Sequence, residues 1–520
     1  MVQDYPRHDH VMERRGLHAE CTWKLGAKDN DARCPHRREV RDHTKKIKES
    51  IVDCIGNTPM VKVSNIAKTE GVECELLVKC EFLNPGGSMK DRIGRRMIMD
   101  AEAEGRVKKG DIIVEPTSGN TGVALSMVAA AMGYRMITTM PERMSQEKED
   151  ALAGLGATVV RCPNLPGYHR DGYVGTAIKL ARTLEGAHCL DQYSNPSNPI
   201  AHYDETAEEI WDQCDGKIDY MFIGAGTGGT LTGISRKLKE KDPSIKIIAI
   251  DPVGSILAPP EQNGTRRGGF KIEGIGKDYI PRTMDRTLTD GWVKCEDKEG
   301  HVWARRLLKE EGLMVGGSCG SAVWGAVQYI KDNKIGKGKR CVVLLPDNLR
   351  NYMSKHLNND WMYEQGYMTE QECAKAAVSD LIPNTDWGQD KTVQDLNLKQ
   401  AVFLAADTKI NEVWNLMLTQ GFAQYPIKEA NGTILGVVTK TDLMSKLVKK
   451  RVNGSDPVKN LAQPILRHVS LTTTLNELSR VLTRNRFVLV DRQFMCTTSD
   501  LLSHVTGELE CSSKVGVKSE

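Results

Sequence analysis

From about residue 51 to residue 360 the chain alternates short, continuous apolar runs with segments of helix length. The runs are ELLVKCEF (75–82), DIIVEP (111–116), RMITTMPE (135–142), TVVRCP (158–163), YMFIGAG (220–226), KIIAIDP (246–252) and CVVLLPD (341–347). Strands that are apolar on both faces belong in parallel sheets with helices packed on each side. The expected class is therefore α/β, with parallel-sheet subdomains over 46–363. Residues 1–45 are polar, rich in His and Arg, and without sustained periodicity; they read as an extended arm.

After a polar linker (364–390) the pattern becomes a tandem repeat over 391–507, followed by a tail (508–520). Val393–Leu396 returns as Val458–Leu461, and Ile410-Asn411-Glu412 returns as Leu475-Asn476-Glu477, both at an offset of 65. Thr439-x-x-Asp442-Leu443 returns as Thr497-x-x-Asp500-Leu501 at an offset of only 58. The second copy should therefore lack about seven residues in the strand hairpin before its TxxDL, with RQFMC standing where an apolar strand is expected.

Charge and cysteine usage narrow the function classes. Lys plus Arg number 71 against 68 Asp plus Glu, a net charge of +3. No concentrated basic excess points to nucleic acid. The longest uncharged stretch, 116–134, is too short in its apolar part to span a bilayer. The N-terminus has no apolar core of a secretory signal. Fourteen cysteines without CxxC pairs read as reduced thiols, so the expected location is the cytoplasm, with no nucleic-acid or membrane partner.

Three Gly-rich turns follow expected strands: NPGGSMKDR (84–92), PTSGNTG (116–122) and GAGTGGT (224–230). Each ends where a helix should begin, which gathers free N–H groups at one sheet edge and suits a ligand with phosphate and carboxylate groups. The third turn satisfies GxGxxG, with Asp251 at the next strand end, so a dinucleotide is one reading and plain tight packing another. The other two turns have no role in a dehydrogenase. Lys90 then decides the chemistry. A lysine at a helix start, after two glycines and a serine, is favoured in its neutral, nucleophilic form and suits a covalent link to pyridoxal phosphate.

These motifs, with GGSCGS (316–321) following them, resemble the fold type II pyridoxal-phosphate enzymes over about 50–360. Segments 191–210, EGIG (273–276), 344–355 and CTWKLG (21–26), together with the C-terminal repeat, resemble the haem-bearing animal branch of that family. The resemblance implies that Lys90 holds pyridoxal 5'-phosphate and serves as base and acid. It implies that Gly226, Thr227, Gly228, Gly229 and Thr230 cradle the phosphate, that Asn120 bonds the 3'-oxygen, and that Ser318 faces the ring nitrogen. Thr117, Ser118, Thr121 and Gln192 match positions gripping the substrate carboxylate, with Tyr193 and Gly276 at the cleft. The activity implied is β-replacement: serine loses its Cα proton and water, homocysteine thiolate adds, and cystathionine leaves, with hydrogen sulfide as a side product. Lys277 stands where close relatives carry Tyr, and KDPSIK (241–246) lacks the CxxC of vertebrate members, so no thiol switch is expected there.

In the arm, Cys21 and His36 match the family's axial ligands to haem b, bound without covalent attachment because no CxxCH is present; Cys34 is a rival ligand. The repeat resembles a pair of CBS-type regulatory modules. Thr439, Asp442, Thr497 and Asp500 are candidate nucleotide contacts, against a purely structural, dimerising role. Tyr425 occupies a position that adenosyl-binding relatives keep small, so activation by S-adenosylmethionine is not expected. A homodimer acting on small-molecule substrates is expected. Two rivals remain, a cysteine synthase using O-acetylserine and a non-catalytic adenosyl sensor with a decayed enzyme block.

Overall fold

The computed structural model describes residues 46–515 apart from 118, 143, 145, 164, 166–168, 260–269, 370–371, 373–387, 389, 449–451, 464–467 and 485–486. Two compact units divide the chain, Met1–Asn358 and Asn359–Glu520. In the first unit the strands are β1 (Met60–Lys62), β2 (Glu75–Cys80), β3 (Ile112–Pro116), β4 (Arg135–Pro141), β5 (Thr158–Cys162), β6 (Ala187–Cys189), β7 (Tyr220–Gly224), β8 (Lys246–Pro252), β9 (Gly291–Cys295) and β10 (Arg340–Leu345). All seven apolar runs are strands. They form two sheets, of order β1-β2-β10-β7-β8-β9 and β5-β4-β3-β6.

Every pairing in both sheets is parallel except β1 with β2. The inner strands explain the uninterrupted apolar runs. Val342, Val343 and Leu345 of β10 are fully buried, as are Ile247–Ile250 of β8. Three strands carry no such run in the sequence. β1 is a three-residue antiparallel edge whose side chains are largely exposed. β6 is three residues long and contains His188, whose ring meets Asp111 at 3.0 Å. β9 is an edge strand, half-buried along most of its length. Edge strands need little apolar surface, so their pattern is weak.

Parallel strands deliver their following turns to one edge of the sheet, where open α/β folds bind ligands. The turns after β2, β3 and β7 lead into helices Lys90–Ala103, Asn120–Met132 and Gly229–Lys241, as the Gly-rich motifs predict. Gly133 at φ +80° ends the second of these in the left-handed conformation that glycine tolerates best.

The second unit holds two three-stranded sheets of one topology. The first contains β11 (Leu404–Ala405), β12 (Gln424–Lys428) and β13 (Ile434–Thr439); the second contains β14 (His468–Val469), β15 (Phe487–Val490) and β16 (Phe494–Thr497). In each, a parallel pair is followed by an antiparallel hairpin. The repeat is therefore structural, and one expectation is corrected. The RQFMC segment does not replace the strand, because β16 forms and buries Cys496. Asp491 and Arg492 take φ of +45° and +57°, which lets a tight turn substitute for the longer connection of the first copy. No helix among the described residues is long and apolar enough to cross a membrane.

Candidate functional site

Lys90 is set by a turn stitched to the exit of β10. The Met89 N–H donates to the Pro346 carbonyl (2.8 Å), and the Asn348 N–H donates to the Gly87 carbonyl (3.0 Å). Gly87 has φ +87°, and a Cβ there would lie 2.2 Å from Asn348 Nδ2, so only glycine allows the approach. The Lys90 side chain is buried. Burial, then the nearby Lys277 charge, holds its ammonium down to about 8, against the pull of Asp347. Desolvation leads this lowering, rather than the helix start.

Two residues on, Arg92 anchors this helix from below. Its guanidinium makes bidentate pairs with Glu81 (2.7 and 2.8 Å) and with Glu209 (2.7 Å twice). Lys79 Nζ also meets Glu209 at 2.7 Å. Burial alone would push the Glu81 carboxyl up, but Arg92 holds it below the ordinary range.

The second turn carries Thr117, Asn120 and Thr121; Ser118 lies outside the described residues. Asn120 Nδ2 donates to Asp347 Oδ2 (2.6 Å), and Asn120 Oδ1 accepts from Asn351 (2.6 Å). Tyr352 donates to the same Asp347 carboxylate, which burial pushes up to about 6. Thr121 Oγ1 donates to Gln192 Oε1 (2.7 Å), bringing two expected carboxylate-gripping residues together. The backbone before and at Gln192 is fixed by Glu115, which accepts from the N–H groups of Asp191 and Gln192 at 3.0 Å each. Thr117 Oγ1 turns back to the Gly119 N–H (3.4 Å).

The third turn is a cradle whose glycines have no room for side chains. A Cβ on Gly226 would lie 2.4 Å from the Gly274 carbonyl oxygen, and one on Gly229 would lie 2.0 Å from Asn198 Oδ1. Gly228, at φ +90°, would place a Cβ 2.3 Å from that of Met284. Thr227 Oγ1 accepts from Asn198 Nδ2 (3.2 Å), and Thr230 Oγ1 lies 3.1 Å from His202 Nε2. Burial, then Lys90, holds the His202 ring down to about 3, so it is neutral.

The residues fit pyridoxal phosphate on this structure's own observations. Ser318 Oγ is buried with no hydrogen-bond partner among the described residues, at the start of helix Gly317–Asp332. Buried hydroxyls are normally satisfied, so an orphan at the start of a helix in this unit suits a ligand atom. The cradle offers helix-start N–H groups to an anion.

Gly276 (φ +80°) donates its N–H to the Ala225 carbonyl (2.7 Å), and Tyr193 packs edge-on against Tyr279 with centroids 5.8 Å apart. Sequence reasoning assigned no role to Asp347, Tyr352, Glu115, Asn198 or His202. Asp347 carried a signal, since it ends an apolar run as the other site turns do. A further unassigned group is Glu273, paired with both Lys148 and Lys355. Cys21, His36 and Cys34 lie outside the described residues.

In the second unit the TxxD pairs bond within themselves. Thr439 Oγ1 donates to Asp442 Oδ2 (2.6 Å), and Gln463 Nε2 donates to Asp442 Oδ1 (2.6 Å). Thr497 Oγ1 likewise donates to Asp500 (2.7 Å). Tyr425 is buried in the core of its copy, its hydroxyl 3.0 Å from Gln420 Oε1.

Comparison with known proteins agrees with this geometry. The family described as pyridoxal-phosphate dependent enzyme matches residues 51–347, and the CBS domain family matches 393–449. The chain is similar to the cystathionine beta-synthase of Mus musculus, 44% identical over 98% of this chain and 90% of that protein. It is similar to that of Dictyostelium discoideum, at 43% over 94% and 97%. Among solved structures, a hydrogen sulfide-producing enzyme from Fusobacterium nucleatum matches with a TM-score of 0.55 and 36% identity, over 59% of this chain and 98% of that one.

Proposed function

The chain belongs to the cystathionine beta-synthase family of pyridoxal-phosphate-dependent enzymes, and from that membership we propose that it condenses serine with homocysteine to cystathionine and water. The observation that carries the reading is Lys90, a buried amine held down to about 8, in one unit with a buried Ser318 hydroxyl that has no partner among the described residues and a turn whose glycines admit no side chain. Pyridoxal phosphate, when bound, supplies the electron withdrawal that acidifies the serine Cα–H. Gly226, Thr227, Gly228, Gly229 and Thr230 would hold its phosphate, and Asn120 and Ser318 would orient its ring. Thr117, Ser118, Thr121 and Gln192 would orient the serine carboxylate. Lys90 Nζ takes the Cα proton and later returns a proton to the same carbon. Ser318, a neutral hydroxyl, leaves the ring nitrogen without an enforced proton, which favours elimination and replacement over transamination.

The test is product analysis by mass spectrometry. Purified enzyme given serine and homocysteine should form cystathionine, and given homocysteine with cysteine should release hydrogen sulfide. Preferential use of O-acetylserine with sulfide would assign it as a cysteine synthase instead. No turnover with any of these substrates would favour the adenosyl sensor.

Two finer readings accompany the reaction. Cys21 and His36 are proposed as haem ligands in the arm 1–45, apart from the catalytic region 46–363. The purified protein should then show a Soret band, which Cys21→Ala shifts or abolishes while pyridoxal phosphate stays bound. Loss in Cys34→Ala instead would transfer the role to Cys34. The repeat 391–507 is proposed as a structural, dimer-forming module that S-adenosylmethionine does not regulate. The Tyr425 ring fills the core of its copy, and Asp442 already serves Gln463 and Thr439, closing a capping box with Thr439 at the start of the helix Lys440–Val448. Calorimetry should show no binding isotherm, and added ligand should change activity by less than about fivefold, the low end of ordinary coupling.

A further inference from the structure

Lys277 is held rigidly beside the candidate cleft. Its N–H donates to Ser255 Oγ (3.0 Å), and its carbonyl accepts from the Ile256 N–H (2.9 Å) and from Ser255 Oγ (3.2 Å). The residue before it, Gly276, is tied to Ala225 at the entrance of the Gly-rich cradle. The side chain crosses Tyr193, with Nζ 5.0 Å from the ring centroid and 3.5 Å from the hydroxyl. Its charge is felt at Lys90, whose proton affinity it lowers.

The ammonium has no carboxylate within ion-pair distance among the described residues. Lys148 and Lys355 differ in this respect, since both pair with Glu273. A half-buried cation with no carboxylate partner among the described residues, close enough to influence a reactive lysine, offers an anion a favourable place. The serine carboxylate already has a turn of hydroxyls, an amide and helix-start N–H groups after β3. The second substrate has no such place among the described residues, and its carboxylate is its one permanent negative charge.

Resting on the proposed β-replacement, we propose that the Lys277 ammonium binds the carboxylate of the incoming thiol amino acid and so makes this enzyme selective for carboxylate-bearing thiols. The carboxylate would be held at the Tyr193 edge, with the thiol extending inward toward Lys90. Tyr193 would flank the same group through its hydroxyl.

The experiment compares Lys277→Met and Lys277→Arg with the parent holoenzyme, after absorbance has shown equal cofactor content. KM is measured for homocysteine, for serine and for 2-mercaptoethanol, a thiol without a carboxylate. Calorimetry follows the binding of 4-mercaptobutyrate, which has the carboxylate but no amine. Lys277→Met should raise the homocysteine KM and weaken 4-mercaptobutyrate binding by roughly tenfold to a hundredfold, the worth of one charge-assisted contact. Serine and 2-mercaptoethanol should stay within about twofold, and Lys277→Arg should restore most of the homocysteine affinity. An unchanged homocysteine KM, an equal loss for both thiols, or a loss confined to serine would each overturn the assignment. If the parent enzyme makes no cystathionine, the reaction proposed above fails, while 4-mercaptobutyrate binding still decides the role of Lys277.

Discussion

Lys90→Ala is expected to lower β-replacement by roughly 10^4-fold, the upper end of what one positioned acid–base group contributes. Steady-state cystathionine formation measures it, and borohydride reduction should then fix the cofactor to no lysine peptide. Fixation to a different lysine would end the assignment. A pH effect accompanies it in the parent protein. The nucleophilic form of Lys90 is the neutral one, and burial with Lys277 brings its titration down to about 8 from the ordinary 10.5 of a lysine. Cofactor uptake by the stripped enzyme should therefore rise as pH climbs from 7 to 9 and level off above. A rise continuing to pH 10 or beyond would show an ordinary lysine.

Arg92→Met is expected to damage the catalytic unit more than any loss of apolar packing nearby. The guanidinium is fully buried and satisfies Glu81, which is fully buried too, and Glu209, which is partly buried. Removing it leaves two carboxylates close together without that partner, and breaking such a pair costs about 3–5 kcal/mol. The thermal midpoint of that unit should fall by roughly 6–15 °C at near-neutral pH. Because Arg92 lies two residues beyond Lys90, cofactor retention should fall with it. A midpoint within about 2 °C of the parent would show that the network is dispensable.

Much of the fold could be read from the chain because parallel strands buried on both faces must be apolar throughout. The runs at 220–226, 246–252 and 341–347 carry that signature, whereas edge strand β1 faces solvent and carries none. Glycine turns were legible for a related reason, since positions such as Gly87 and Gly228 exclude every other side chain. Partners brought together from distant segments were not legible. Asn120 meets Asp347, and Arg92 meets Glu209, across more than a hundred residues of chain. No local periodicity records which carboxylate a folded helix will face. The identity of Lys277 was visible, but its lack of a counter-ion is a fact of three dimensions.

The position of β10 bears on how the protein is made. This strand is the last of its sheet to be synthesised, yet it lies between β2 and β7, hydrogen-bonded to both. Until residues 340–348 leave the ribosome, β2 and β7 present open edges, and the Lys90 turn lacks Pro346 and Asn348 to close against. Long-range parallel pairing of this kind is slow, and unpaired edges invite association with other chains. A nascent chain arrested near residue 330 should therefore be protease-sensitive, unable to retain cofactor and dependent on chaperones. Emergence of residues 340–348 would then complete the sheet in one late, cooperative step.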